Sequence, residues 1–178
     1  MVFSGMVSPL FGDLSERKAR LKILILGPYR PADPTESTAC MERLVALKAY
    51  LNSFGYDNAK LVSDFSDVPR WHEKDAAHFE VKSKQMILEW AIGLLFVFLR
   101  GCDNSGVGGE LTFVDAKRPD LFHSSKILQE ESTDISTIIR GPLNRHGIEA
   151  DRFQTDEELH ELAVGACMAI LYRNYWRI

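Results

Sequence analysis

The chain is short of several things, and each shortage closes off a class of function. It has no long apolar run. The longest, Ala91 to Leu99, covers nine residues, and a membrane-spanning helix needs about 20. It has no strong charge of one sign. Lys and Arg number 21 against 25 Asp and Glu, a net charge of −4, which gives no global field to attract nucleic acid or an anionic membrane. Cysteine is sparse: Cys40, Cys102 and Cys167 are an odd number, far apart, with no CxxC spacing. They do not resemble a zinc site, and three free thiols in a cytoplasmic protein are the expectation. The P-loop ending GKS or GKT is missing, as is GxGxxG after the first apolar run, so neither ATP hydrolysis nor nicotinamide hydride transfer has support. His72 and His78 bracket Glu73, but six residues turn a helix by about 600°, leaving the rings about 120° apart, so no metal pair is expected. His123, His146 and His160 are isolated.

What is present is an ordinary globular composition: 178 residues, 46% apolar and 26% charged, the size of one domain. The apolar start, MVFSGMVSPLFGD, has no basic residue ahead of it and makes a poor signal peptide. Residues 1–19 are expected to be a leader, disordered or docked on the surface, and residues 20–178 a single α/β domain. Leu21–Leu26 is almost wholly apolar and stops at Gly27-Pro28, the pattern of a strand buried on both faces of a parallel sheet. Asp33-Pro34-Thr35-Glu36 carries the marks of a helix start. Cys40, Leu44, Leu47, Leu51 and Phe54 then repeat at steps of four and three before Gly55, one buried stripe and a stop.

The alternation continues. Lys60–Ser63 reads as a short strand and residues 72–90 as a helix, with Ala76, Phe79, Met86, Ile87 and Trp90 inward. Ile92–Leu99 reads as a central strand, Arg100–Gly109 as a glycine-rich loop, and 109–118 as a helix ended by Lys117-Arg118-Pro119. Ser125–Glu130 is a fourth strand. Residues 135–153 are ambiguous; they are read as a short helix and an edge strand near Ile148. Thr155-Asp156-Glu157-Glu158 is a capping box opening a helix to about Arg173, with Leu159, Leu162, Ala166 and Ile170 inward. Strands alternating with helices predict a three-layer α/β sandwich with a mainly parallel sheet. Its functional loops then lie at the carboxyl ends of the strands, here Gly27–Ala32 and Arg100–Gly109. In the second loop Gly106, Gly108 and Gly109 let a ligand approach the backbone, and Glu110 falls in the expected first helical turn, where a carboxylate either balances the helix dipole or points into the cleft. Arg30 and Arg100 flank both loops and suit a phosphate. Cys102 lies in the same loop, but no His near it in sequence would activate it as a nucleophile. Trp71, Trp90 and Trp176 read as core or interface anchors.

The motif Leu26-Gly27-Pro28-Tyr29, the run Asn104-Ser105-Gly106-Val107-Gly108-Gly109-Glu110-Leu111 and the order of elements resemble the nucleoside 2-deoxyribosyltransferases and their wider superfamily, related to TIR-type domains, many of which cleave NAD. The resemblance spans about residues 21–131. It implies a flavodoxin-like sheet, with Glu110 as nucleophile on the anomeric carbon of a nucleoside, nucleotide or NAD-like compound. Carried over, Tyr29 lines the pocket beside Gly27, Pro28 and Arg30, the three glycines admit the sugar, and Glu80 or Glu89 supplies a further carboxylate. The family's Asp six residues before the Glu is Asn104 here, which can orient a hydroxyl but cannot carry charge; Asp103 is the adjacent substitute. The family's glycine two residues after the Glu is Thr112. No metal or cofactor is implied. The alternatives are a nucleotide-sensing module without chemistry, which Asn104 favours, and a TIR-like interaction module acting through a homo-oligomer of apolar termini.

Overall fold

The structure of the protein, a computed structural model, describes residues 9–33, 35, 39–65 and 76–175. In chain order the elements are α1 (Pro9–Arg20), β1 (Ile23–Leu26), α2 (Cys40–Ser53), β2 (Ala59–Leu61), α3 (Ala76–Glu89) and β3 (Gly93–Phe98). Then come α4 (Ser105–Lys117), β4 (Ser125–Glu130), α5 (Thr137–His146), β5 (Ala150–Phe153) and α6 (Asp156–Tyr175). All five strands are parallel, in the order β2-β1-β3-β4-β5. Ile23 pairs with Ala59 on one side and Gly93 on the other.

The period-two geometry of the strands sorts their side chains between two cores. Ile23 and Ile25 of β1 and Leu95 and Val97 of β3 pack with Leu44, Leu47 and Leu51 of α2 and Leu159, Ala166 and Ile170 of α6. Leu24, Leu26, Leu94, Phe96 and Phe98 face the other way, against α3, α4 and α5 through Ile87, Val107, Leu111, Ile139 and Leu143. β1 and β3 are buried on both faces, which explains why they read as unbroken apolar runs. The fold is therefore the expected three-layer α/β sandwich, flavodoxin-like, with central parallel β1 and β3. Residues 9–19 of the expected leader belong to α1, whose Leu14 packs on the α2/α6 side. Among the described residues no helix is long and apolar enough to cross a membrane.

α6 comes so close to β3 that a methyl group on Gly93 would stand 2.6 Å from Ile170 Cγ2 and 2.9 Å from Ile23 Cδ1. Gly165 on the same helix faces open space. Gly93→Ala is expected to cost about 1–3 kcal/mol through overpacking. Gly165→Ala should gain up to about 1 kcal/mol through helix propensity. Melting temperatures shifted in opposite directions would verify this close approach.

Several boundaries differ from expectation. β2 ends at Leu61 and Val62–Asp64 forms a 3-10 turn, because the Asp64 carboxylate accepts the Leu61 amide at 2.8 Å and turns the chain. α2 begins at Cys40 rather than near Asp33. The Asp33 carboxylate instead accepts the Thr35 amide and hydroxyl at 2.9 and 2.7 Å, a local turn. Phe54 lies just past α2, exposed, with its ring 4.9 Å from Tyr50. The ambiguous 135–153 divides into α5 and β5, separated by Gly147 at φ 62°, the left-handed stop that suits glycine. The capping box before α6 is formed: the Glu158 amide donates to Thr155 Oγ1 and the Thr155 amide to Glu158 Oε2. Pro34, Glu36, Trp71, His72, Glu73 and Trp176, and the side chains of Ala76, His78 and Phe79, lie outside the described residues.

The largest correction concerns the thiols. Cys40 and Cys102, 62 residues apart, are joined in a disulfide with their Cα atoms 6.1 Å apart. Only Cys167 is free; it is buried, and burial pushes its thiol up to about 12. The expectation of three free thiols fails because β1 and β3 are neighbours in space. The start of the helix after β1 therefore meets the loop after β3. The case for a reducing compartment rested on unpaired thiols and loses its ground.

Candidate functional site

The chain leaves β1 for α2 on one face of the sheet and leaves β3 for α4 on the other. Such a switch point opens a crevice at the carboxyl ends of the two strands. Here the two loops are fastened to each other. Besides the disulfide, Ala32 N donates to Gly101 O at 2.9 Å and Asp103 N to Arg30 O at 3.0 Å. The Arg30 guanidinium holds Asp103 Oδ2 through Nη2 at 2.9 Å and Nε at 3.1 Å. Asn104 is spent on the backbone as well. Its Oδ1 accepts the Leu99 amide at 3.1 Å, and its Nδ2 donates to the carbonyls of Leu99 and Cys102. Asp103 Oδ1 accepts the Ser105 hydroxyl at 2.6 Å and its amide at 3.1 Å. These bonds, with the Arg30 guanidinium, hold its carboxyl below the usual carboxylate range. Both residues proposed for catalysis beside Glu110 thus shape the loop.

That local structure starts α4 at Ser105, four residues before the expected 109. Asp103 satisfies the free Ser105 amide at the helix start, so the glycine-rich stretch coils although each glycine costs about 1 kcal/mol against alanine. Glu110 therefore lies in the second turn. The three glycines have different roles. A side chain at Gly108 would meet Ile139 Cδ1 of α5 at 2.7 Å, so Gly108 serves helix packing. Gly106 and Gly109 are exposed, with nothing within 4 Å of where a Cβ would stand. Gly106 is one turn before Glu110 and leaves that approach open.

Glu110 is only 7% exposed. It faces α3, where Ser83, Glu80 and Lys84 lie close enough to act on its carboxyl. Burial, with the negative charge of Glu80, raises its pKa to about 7; Ser83 and Lys84 pull the other way. Tyr29 enters from the β1–α2 loop and packs against both cores. Its hydroxyl is driven well above the usual phenol range by burial first and the Glu110 charge next, with the Val62 backbone opposing and Asp64 adding to the rise. Glu110, Tyr29, Glu80 and Ser83 form one constellation.

The other candidates lie elsewhere. Glu89 ends α3 and accepts from Gln85 at 3.0 Å. It lies about 13 Å down the helix axis from Glu80 at 1.5 Å per residue. Gly27 is a packing glycine, since a Cβ there would stand 2.6 Å from Leu44 Cδ2, and Pro28 is buried beside it. Arg30 is exposed but engaged by Asp103. Arg100 is exposed, and its amide donates to Glu130 Oε2 at 2.9 Å. Sequence reasoning missed Ser83 and Lys84, although both follow Glu80 at spacings that share its helix face. It also missed the ion-pair cluster at the end of β4, where Arg43 bridges Glu130 at 2.8 Å and Asp156 at 2.6 Å. This cluster ties α2, β4 and α6 together. Among the described residues no group of three or more His, Cys, Asp or Glu is placed to hold a metal ion.

No model of a known protein family matches the chain, and no curated protein matches it.

Proposed function

We propose that this protein cleaves or transfers the N-glycosidic bond of a nucleoside, nucleotide or NAD-like compound, with Glu110 as nucleophile. One observation carries the reading: a buried carboxyl raised to about 7 stands at the sheet's switch point beside a second carboxylate and a phenol. Perturbed groups of this kind in a cleft mark functional sites. The substrate class comes from the resemblance of the GPY and Asn104–Leu111 segments. In the reaction, a Glu110 oxygen bonds to the anomeric carbon as the C–N bond breaks and its electron pair leaves with the base. The base takes up a proton from solvent, and water or a second base then displaces the ester with net retention. Only the ionised carboxylate attacks, so the rate should rise through a pH of about 7.

The test is incubation with nucleosides, their 5′-phosphates and NAD, with and without an acceptor base, followed by chromatography. Released or exchanged base is the expected product; every compound recovered intact would overturn the proposal. Gly106→Leu separates site from scaffold. A leucine there obstructs the approach one turn above Glu110, while its helix propensity exceeds that of glycine by up to about 1 kcal/mol. Base release is expected to fall at least tenfold with the melting temperature unchanged or higher.

A second reading, a nucleotide sensor without turnover, is favoured by Asn104. It stands where the related family has a carboxylate, and its amide is fully engaged by the loop backbone. A compound that raises the melting temperature but is recovered intact would select it.

A further inference from the structure

The two loops that the disulfide joins are not held alike. The β3–α4 loop holds itself. Asn104 bonds the Leu99 amide and the carbonyls of Leu99 and Cys102, and Asp103 accepts from Ser105. On the β1–α2 side, Arg30–Ala32 depends on its neighbour. Among the described residues its hydrogen bonds all go to the other loop: Ala32 N to Gly101 O, Asp103 N to Arg30 O, and the Arg30 guanidinium to Asp103. Pro31 stands opposite Cys102 in the resulting antiparallel bridge. The same Cys102 carries the cross-link to Cys40, the first residue of α2. Cutting the cross-link leaves the β3–α4 loop its own bonds. It leaves Arg30–Ala32 two backbone bonds and an exposed ion pair. Such a pair is weak, and segments held by few exposed bonds open first.

We propose that the disulfide is a redox latch on the crevice: a dithiol reductant opens it and frees Arg30–Ala32 from Gly101–Asp103, while the β3–α4 loop and the sheet stay folded. The reductant reaches the sulfur of Cys102, a residue 5% exposed against 1% for Cys40. One thiolate of the dithiol bonds to Cys102 Sγ as the Sγ–Sγ bond breaks. The electron pair leaves on Cys40 Sγ, which then takes up a proton. Cys40 is suited to leave because it starts α2, where Ala39 supplies no side-chain cap. The free amides and positive end of a helix favour a thiolate there. The second thiolate of the reductant then attacks the mixed disulfide, Cys102 leaves and is protonated, and the reductant departs as a disulfide. Two electrons and two protons pass to the protein. Cys167 takes no part, being buried in the core with α2 and α6. The release of Arg30–Ala32 does not rest on the proposed function. Its bearing on turnover does, since the freed stretch borders the same crevice.

The test is amide hydrogen exchange by NMR on the folded protein, with and without excess dithiothreitol, with thiols counted in parallel after an acid quench. Reduction is expected to raise the count from one to three. Exchange at Ala32 and Asp103 should quicken by roughly tenfold or more. Leu99, whose amide bonds Asn104, and Leu95 at the centre of the sheet should keep their rates. The Cys40→Ala/Cys102→Ala variant should show the fast pattern without reductant, and Cys167→Ala should respond as the wild type does. A disulfide that resists dithiothreitol in the folded protein would overturn the latch. So would unchanged exchange at Ala32 and Asp103 once three thiols are counted, or equal acceleration at Leu95, which marks unfolding. Selective release of Ala32 and Asp103 supports the latch even if no compound is cleaved, and its absence overturns the latch even if one is.

Discussion

Glu110→Gln is expected to melt higher than the wild type above pH 7 and to release no base. The stability half follows from proton linkage. The unfolded carboxyl titrates near its ordinary 4.5 and the folded one near 7, so between these values the folded state binds more protons. The wild type therefore loses stability as pH rises through that window, and the loss is complete above it. At about 1.4 kcal/mol per unit, this amounts to about 3 kcal/mol. Glutamine is neutral throughout and keeps the shape of the side chain. Its advantage should grow from pH 4.5 to 7 and vanish below, reaching about 6–12 °C of melting temperature for a chain of this size. A Glu110 that merely balanced the helix dipole would give the opposite sign and at most about 1 kcal/mol. The rate half follows from chemistry, since loss of a nucleophile commonly raises the barrier by roughly 4 kcal/mol or more. Melting curves at pH 5 and 8, beside single-turnover assays, check both.

Removing the disulfide should act in the opposite direction and lower stability. Cys40 and Cys102 close a loop of about 62 residues, and a cross-link of that span stabilises by about 4 kcal/mol through the entropy it removes from the unfolded chain. Among the described residues, what remains between the loops is two backbone hydrogen bonds and an ion pair whose Arg30 is 68% exposed, the ion pair worth at most about 1 kcal/mol. The Cys40→Ala/Cys102→Ala double variant is expected to melt about 8–16 °C lower. Thiol titration of the unfolded wild type without reductant should count one thiol, Cys167, and with reductant three. Three thiols in both conditions would contradict the cross-link.

These two expectations mark how far the sequence could be read. β1 and β3 were legible because strands buried on both faces leave no polar residues in the pattern, and α2 was legible from its four-three spacing. Burial set the identity of those residues directly. The start of α4 was not legible. Three glycines argue for a loop, and only the placement of Asp103 against Ser105 makes a helix there. Cysteine pairing depends on which loops the sheet order brings together, and spacing along the chain does not carry that. Glu110 could be singled out from its place after β3, yet its burial could not, because burial comes from α3. The resemblance offered Glu80 and, second to it, Glu89; about 13 Å of helix separate them, and of the two Glu80 comes near Glu110. Ser83 stands between Lys82 and Lys84 on α3, where a lone serine gives no signal until its neighbours across the interface are known.

The most direct measurement of the central claim is single-turnover base release by the wild type across pH 5 to 9, on whichever nucleoside, nucleotide or dinucleotide is cleaved. The account predicts a rate that rises through a single ionisation near pH 7, coincident with the NMR midpoint of Glu110, and then levels. No release from any of these compounds, or a rate that falls as the pH rises past 7, would contradict a nucleophilic Glu110.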